Sequence, residues 1–199
     1  MPAGKRVLDL RIPMLTAPDG RLLAKNVELE IRGPEKICLV GRNGVGKTTL
    51  IREIARQLCG RSDLSAFYMP QDYEDTIPMD ITPIDYLAPS GQKDDVTMVR
   101  TYLGSMKYTE DEMFHPIREL SGGQKAKLLL LKISLTEADV LILDEPTRNF
   151  SPLSAPEVRG ILRAFPGAII SVSHDRKYIH EVCDTLYRMT PEGLTKETI

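Results

Sequence analysis

The chain of 199 residues contains no tryptophan, and aromatic residues make up only 6% of it. Residues 1–40 hold no aromatic side chain at all. Aliphatic side chains must therefore fill the core, and a hydrophobic content of 42% supplies enough of them. The cysteines Cys38, Cys59 and Cys183 are far apart and odd in number. They form neither a disulfide framework nor a metal-ligand spacing and read as reduced, partly buried thiols. Charge of one sign is also lacking: 26 basic residues face 28 acidic ones, for a net charge of -2. That balance gives no support to a generic nucleic-acid coat and leaves room for a local basic patch. No stretch approaches the ~18 apolar residues of a membrane span, and the N-terminus has no signal-peptide pattern. A cytoplasmic protein is expected.

What is present is strand–helix alternation. Val7–Ile12 and Val27–Ile31 alternate apolar and polar residues around an Asp19-Gly20 turn. Lys36–Val40 is a short, nearly continuous apolar run, as a buried parallel strand would be. A helix is predicted from about Lys47 to Leu58 and a further strand over Ser65–Met69, ended by Pro70. Residues 72–119 change character, because Pro78, Pro83 and Pro89 break them into short pieces and Asp95–Met106 has a helical pattern. Beyond the glycine-containing helix at Gln124–Leu135, strand signals return at Asp139–Leu143 and Ala168–Val172. Helices near Glu157–Phe165 and Arg176–Val182 and a closing hairpin complete the pattern. The expected architecture is an α/β domain with a mostly parallel sheet, an N-terminal antiparallel part and a small helical insertion. The core is expected over about 1–71 and 137–199, and the helical subdomain over about 72–136.

Three stretches carry chemistry. Gly41-Arg42-Asn43-Gly44-Val45-Gly46-Lys47-Thr48 fits G-x-x-x-x-G-K-[ST], directly after a buried strand and directly before a helix. The backbone N–H groups from Gly44 to Thr49 can surround phosphates, Lys47 adds a point charge, and the Thr48 hydroxyl suits Mg²⁺. Val140–Leu143 is an apolar strand ending in Asp144 and Glu145, at the strand end where α/β sheets bind ligands. Asp144 is placed to hold Mg²⁺ through water, and Glu145 to polarise an attacking water. His174 and Gln71 close two other strands at the same edge. A γ-phosphate or water contact is expected for His174. Gln71 reads equally well as a turn residue or as a group reaching the metal.

Leu120-Ser121-Gly122-Gly123-Gln124 opens a helix with two glycines, which weaken a helix start unless bare backbone is needed there. Ser121 is a good N-cap, and the N–H groups of Gly122 and Gly123 offer a second anion-binding helix end. The chain's own phosphate loop already supplies one, so this second end is expected to serve a phosphate held by another domain.

Together these residues resemble the ATP-binding cassette (ABC) ATPase domain, across nearly the whole chain and in the family's order. Gly41–Thr48 looks like its Walker A, Gln71 its Q-loop, Leu120–Gln124 its signature, Val140–Glu145 its Walker B with the catalytic glutamate, and His174 its switch histidine. The resemblance implies ATP and Mg²⁺ as ligands, with Thr48, Gln71 and Asp144 around the metal. It implies hydrolysis with Glu145, His174, Lys47 and Gln71 in the catalytic roles. It also implies a head-to-tail pair of cassettes, in which Ser121, Gly122, Gly123 and Gln124 contact the nucleotide of the partner. Gln124-Lys125-Ala126-Lys127 and Ser173-His174-Asp175-Arg176 followed by Tyr178 are similar to the ABC-F class, soluble proteins with two linked cassettes that act on ribosomes.

By that resemblance the chain is expected to be one cassette, the second, of a longer protein concerned with translation or antibiotic resistance. Its partner would be another cassette on the same chain or a second copy, with any ribosome or RNA contact made through parts outside this chain. Two other readings compete: the ATPase subunit of a transporter, and a nucleotide-gated binding module with little turnover. Two departures bear on them. Ser151 stands where the class has the D-loop aspartate, which puts coupling between paired sites in doubt. No aromatic stands near Ala17, where the family stacks adenine, so a weak preference for ATP over GTP is expected.

Overall fold

Strands β1 (Arg6–Thr16) and β2 (Leu22–Arg32) form an antiparallel pair of their own. The structure, a computed structural model, describes every residue except 73–75, 136, 149, 151, 153 and 154. Strand β1 runs past Ile12 because Pro13, which has no N–H to donate, falls where the ladder can skip it. Pairing passes from Ile12–Val27 to Met14–Lys25, and Asn26 adopts left-handed backbone with φ 51°. The alternation read from the sequence is the buried face of this pair: Leu8, Leu10, Val27, Leu29 and Ile31 all point into the core.

The second sheet has six strands in the order β4-β5-β6-β3-β7-β8. They are β3 (Lys36–Val40), β4 (Ala66–Met69), β5 (Val140–Asp144), β6 (Ala168–Val172), β7 (Thr185–Thr190) and β8 (Gly193–Glu197). All neighbouring strands are parallel except β7 and β8, which form the closing hairpin. Every residue of β5 and β6 is buried, which explains their unbroken apolar sequences. Helix α1 (Lys47–Cys59) buries Leu50, Ile51, Ile54, Ala55 and Leu58, a helical-period stripe that packs over β4, β5, β6 and β1. The core that joins the two sheets is aliphatic, from Val7 and Ile31 through Ile37, Leu39 and Ile54 to Ile142 and Ile170.

The chain divides into two compact units. The sheets lie in the unit Met1–Gln71, Glu137–Arg148 and Ala155–Ile199, with helices α6 (Ala155–Ala164) and α7 (Arg176–Val182). Arg159 of α6, buried in this unit, donates from Nε to Glu181 of α7 at 2.7 Å. The other unit, Asp72–Thr136 with Asn149–Ser154, is helical among its described residues. It contains α2 (Pro83–Leu87), α3 (Lys93–Ser105), α4 (Glu110–Phe114), a 3₁₀ turn (Ile117–Glu119) and α5 (Gly122–Leu135). Helix α5 buries Ala126, Leu128, Leu129, Leu130, Leu131 and Ile133.

Candidate active site

The sheet order aligns four strand ends that are scattered along the sequence. The loop Gly41–Gly46 leaves β3, Gln71 follows β4, Asp144 and Glu145 end β5, and His174 follows β6. A cleft of about 650 Å³ at this edge is lined by Asn43, Gly44, Gly46, Lys47, Thr48, Thr49, Gln71, Asp144, Glu145 and His174. Gly41 and Val45 shape the loop from behind. A side chain on Gly41 would come within 2.7 Å of the Met189 carbonyl oxygen and 3.2 Å of Val45. Gly46 caps α1 with φ 111°, a conformation that favours glycine, and its Cα faces Leu23 and Met189.

Lys47 is buried in the loop, and its Nζ donates to the carbonyls of Gly41 at 2.8 Å and Arg42 at 2.9 Å. Burial lowers its pKa, and the charges of Glu145 and Asp144 oppose that shift. Asp144 is 1% exposed, and neither carboxylate oxygen has a hydrogen-bond partner among the described residues. Its pKa is raised chiefly by burial, partly offset by the nearby Thr48 hydroxyl. A buried carboxylate with no partner among the described residues, in a cleft also lined by Thr48 and Gln71, supplies the oxygen ligands a hard cation takes, so these residues fit Mg²⁺.

Glu145 turns away from the strand with φ 55° while its N–H still donates to the Val172 carbonyl at 2.9 Å. The turn brings its carboxylate to His174: the His174 backbone N–H donates to Oε2 at 3.4 Å, and His174 Nε2 lies 3.7 Å from Oε1. Acid and imidazole therefore share one wall of the cleft.

In the helical unit, Ser121 and Gln124 form a reciprocal cap at the start of α5. Gln124 N–H donates to Ser121 Oγ at 3.3 Å, and Ser121 N–H donates to Gln124 Oε1 at 2.9 Å. This cap draws Gly122 and Gly123 into the first helical turn, so the helix begins two residues before the predicted Gln124. Gln124 Nε2 also donates to Glu112 of α4 at 2.5 Å. A Cβ added at Gly122 or Gly123 would meet open space, so packing within the chain does not demand glycine at either position. The expected D-loop residue Ser151 lies outside the described residues.

Four lining residues were not foreseen as site residues: Arg21, Leu23, Arg148 and Val172. Arg21 and Leu23 lie in the β1–β2 hairpin, some twenty residues before the loop they face, and no local pattern announces that meeting. Arg148 follows Asp144-Glu145-Pro146-Thr147 in a stretch with no phosphate- or metal-binding pattern of its own.

The family model for the ABC transporter matches residues 24–148. The chain is 31% identical over 182 residues to the probable ATP-binding protein YbiT of Escherichia coli O157:H7, covering 87% of this chain and 34% of that protein. It is 34% identical over 209 residues to the uncharacterized ABC transporter ATP-binding protein YfmR of Bacillus subtilis (strain 168), covering 96% and 32%. It is 30% identical over 202 residues to the ribosome protection protein VmlR of the same organism, covering 98% and 36%. The fold is similar, at TM-score 0.76 and 15% identity, to the ATP-binding cassette MJ0796, solved as a dimer in a post-hydrolysis state bound to ADP and Pi. That likeness covers 96% of this chain and 97% of that one. The chain belongs to the ATP-binding cassette family, and its class is that of the ABC-type ATPase domains. It spans about a third of the length of these curated relatives.

Proposed function

We propose that this chain is one cassette of an ABC-F type protein, binding Mg-ATP in the β3–β6 cleft and hydrolysing it when a second cassette closes over that cleft. The observation that carries the reading is Asp144, a buried carboxylate without donors, one residue from a glutamate already held against a histidine. In this reading the amides from Gly44 to Thr49 and Lys47 bind the β- and γ-phosphates, with Gly41, Asn43 and Val45 shaping the loop. Thr48, Gln71 and Asp144 would hold Mg²⁺, which supplies charge neutralisation at the phosphate oxygens when bound. Glu145 orients and deprotonates the attacking water, and His174 fixes the Glu145 carboxylate and reaches towards the terminal phosphate.

Ser121, Gly122, Gly123 and Gln124 serve the nucleotide of the other cassette. The open space around both glycines supports this, since α5 itself gains nothing from them. The partner is a second cassette, in the same longer protein or in another copy. The threefold greater length of the relatives supports the first arrangement. No helix among the described residues is long and apolar enough to cross a membrane, which agrees with action in the cytoplasm. Similarity to a ribosome protection protein supports a role on the ribosome, in translation or antibiotic resistance, with any RNA contact made outside this chain.

The test is Glu145→Gln. Nucleotide affinity is expected to stay within about threefold of wild type, while turnover falls by on the order of 10²–10⁴. A variant that hydrolyses ATP at the wild-type rate would remove Glu145 from this role.

A further inference from the structure

The cleft has a second end that the phosphate and metal groups do not use. Gly46 marks its position: its Cα faces Leu23 of β2 and Met189 of β7, and β7 flanks β3 on the side away from β6 and β5. Gln71, Asp144, Glu145 and His174 all lie towards β4, β5 and β6. A triphosphate whose terminal phosphate meets those groups must direct its nucleoside the other way, to the wall made by Ala17, Arg21 and Leu23.

That wall is unusual in its chemistry. Among the described residues, no phenylalanine, tyrosine or tryptophan lines the cleft, so this wall offers a base no such ring to stack on. Ala17 and Leu23 offer apolar contact only. Arg21 is the one polar side chain there, and its guanidinium has no hydrogen bond or ion pair among the described residues. Its backbone is fixed by the hairpin turn: the Ala17 N–H donates to the Arg21 carbonyl at 2.8 Å, the Gly20 N–H to the Ala17 carbonyl at 2.9 Å, and the Arg21 N–H to Asp19 Oδ1 at 3.0 Å. Arg21 and Leu23, two residues apart, both line the cleft.

A guanidinium carries donors and no acceptor. Against the 6,7 edge of guanine or hypoxanthine it meets two acceptors, O6 and N7, and can donate to both. Against adenine it meets N7 beside an amino group that is itself a donor, so one of the two bonds is lost. We propose that Arg21 reads the 6 and 7 positions of the purine, so that this site takes 6-oxopurine triphosphates, GTP and ITP, at least as tightly as ATP. The proposal rests on the nucleotide-binding reading above and deepens it by naming the base class.

Equilibrium binding of Mg-ATP, Mg-GTP and Mg-ITP to the wild-type chain and to Arg21→Ala tests it, with the melting temperature of both chains as a folding control. ITP is the discriminating probe, since it shares O6 and N7 with GTP and lacks the 2-amino group. In the wild type, GTP and ITP bind as tightly as ATP or tighter. Arg21→Ala weakens both by about five- to tenfold and leaves ATP within about twofold. Tighter binding of ATP than of both 6-oxopurines in the wild type overturns the proposal. So does an equal loss for all three nucleotides in the variant, which would place the guanidinium on the phosphates, or a GTP preference that ITP does not share. Binding of none of the three by the folded wild type rejects the nucleotide-site reading itself, and Arg21 falls with it.

Discussion

His174 Nε2 stands 3.7 Å from Glu145 Oε1, while the His174 main-chain N–H donates to the other oxygen of the same carboxylate at 3.4 Å. The histidine thus meets both oxygens of the proposed base, its backbone by a hydrogen bond and its ring by close approach. His174→Ala keeps the backbone contact and removes the ring. ATP turnover is expected to fall on the order of 10²-fold, with KM changed by less than about threefold. Steady-state kinetics check this, and unchanged turnover would leave the imidazole with no part in the reaction.

Asp144 carries a stability cost that the metal would relieve. Its folded-state pKa is raised by burial, so the folded chain holds this proton more tightly than the unfolded one. Stability from this group is therefore present below the ordinary value of 3.8, is lost as pH rises through the raised value, and stays lost at neutral pH. Asp144→Asn, melted without nucleotide or Mg²⁺ at pH 7, is expected to be more stable than wild type by about 1–3 kcal/mol. The advantage should shrink as pH approaches 4, and Mg-ATP should stabilise wild type but hardly the variant. Destabilisation of the metal-free variant would contradict an uncompensated charge.

Gly123→Asp separates the two meanings of the signature helix. The new side chain has open space, and a carboxylate in the first turn favours a helix N-terminus, so the melting temperature should hold or rise slightly. Facing a phosphate, the same charge repels. In Glu145→Gln with Mg-ATP, light scattering should show mass moving from 22.3 kDa towards twice that value, and Gly123→Asp should abolish the shift. Doubling that persists in the variant would take this helix end out of the closed pair.

The ion pair between α6 and α7 gives a purely structural prediction. Arg159 is buried and its Glu181 partner is half exposed, so Glu181→Ala strands a guanidinium while removing little surface. A loss of about 1–3 kcal/mol is expected, or about 2–4 °C of melting temperature per kcal/mol. Adding Arg159→Met should restore most of it, because the pair is retained by its desolvation cost more than by its attraction.

Much of this was legible in the sequence because the signals were local. The apolar runs of β3, β5 and β6, the helical stripe of α1, and the capping residue Ser121 all declare themselves within a few positions. Boundaries moved where the fold tolerates what local rules discourage, as when β1 continues through Pro13 because that position falls outside the pairing. Two kinds of fact were out of reach. Arg21 and Leu23 join the cleft only through packing of the hairpin against the phosphate loop. The left-handed turn at Glu145, which delivers its carboxylate to His174, follows from neighbouring strands and from no preference of glutamate.

The strand order also bears on how the site comes into being. β3 sits between β6 and β7, so Ile37 accepts a hydrogen bond from Ser171, 134 residues further along the chain. The phosphate loop is thus synthesised early and seated late, after distant parallel strands have closed around it, and such non-local pairing is slow. A chain that stopped short of β6 would carry Lys47 and its glycines but would lack Val172 and His174, so the cleft waits on a strand made more than a hundred residues after its own phosphate loop.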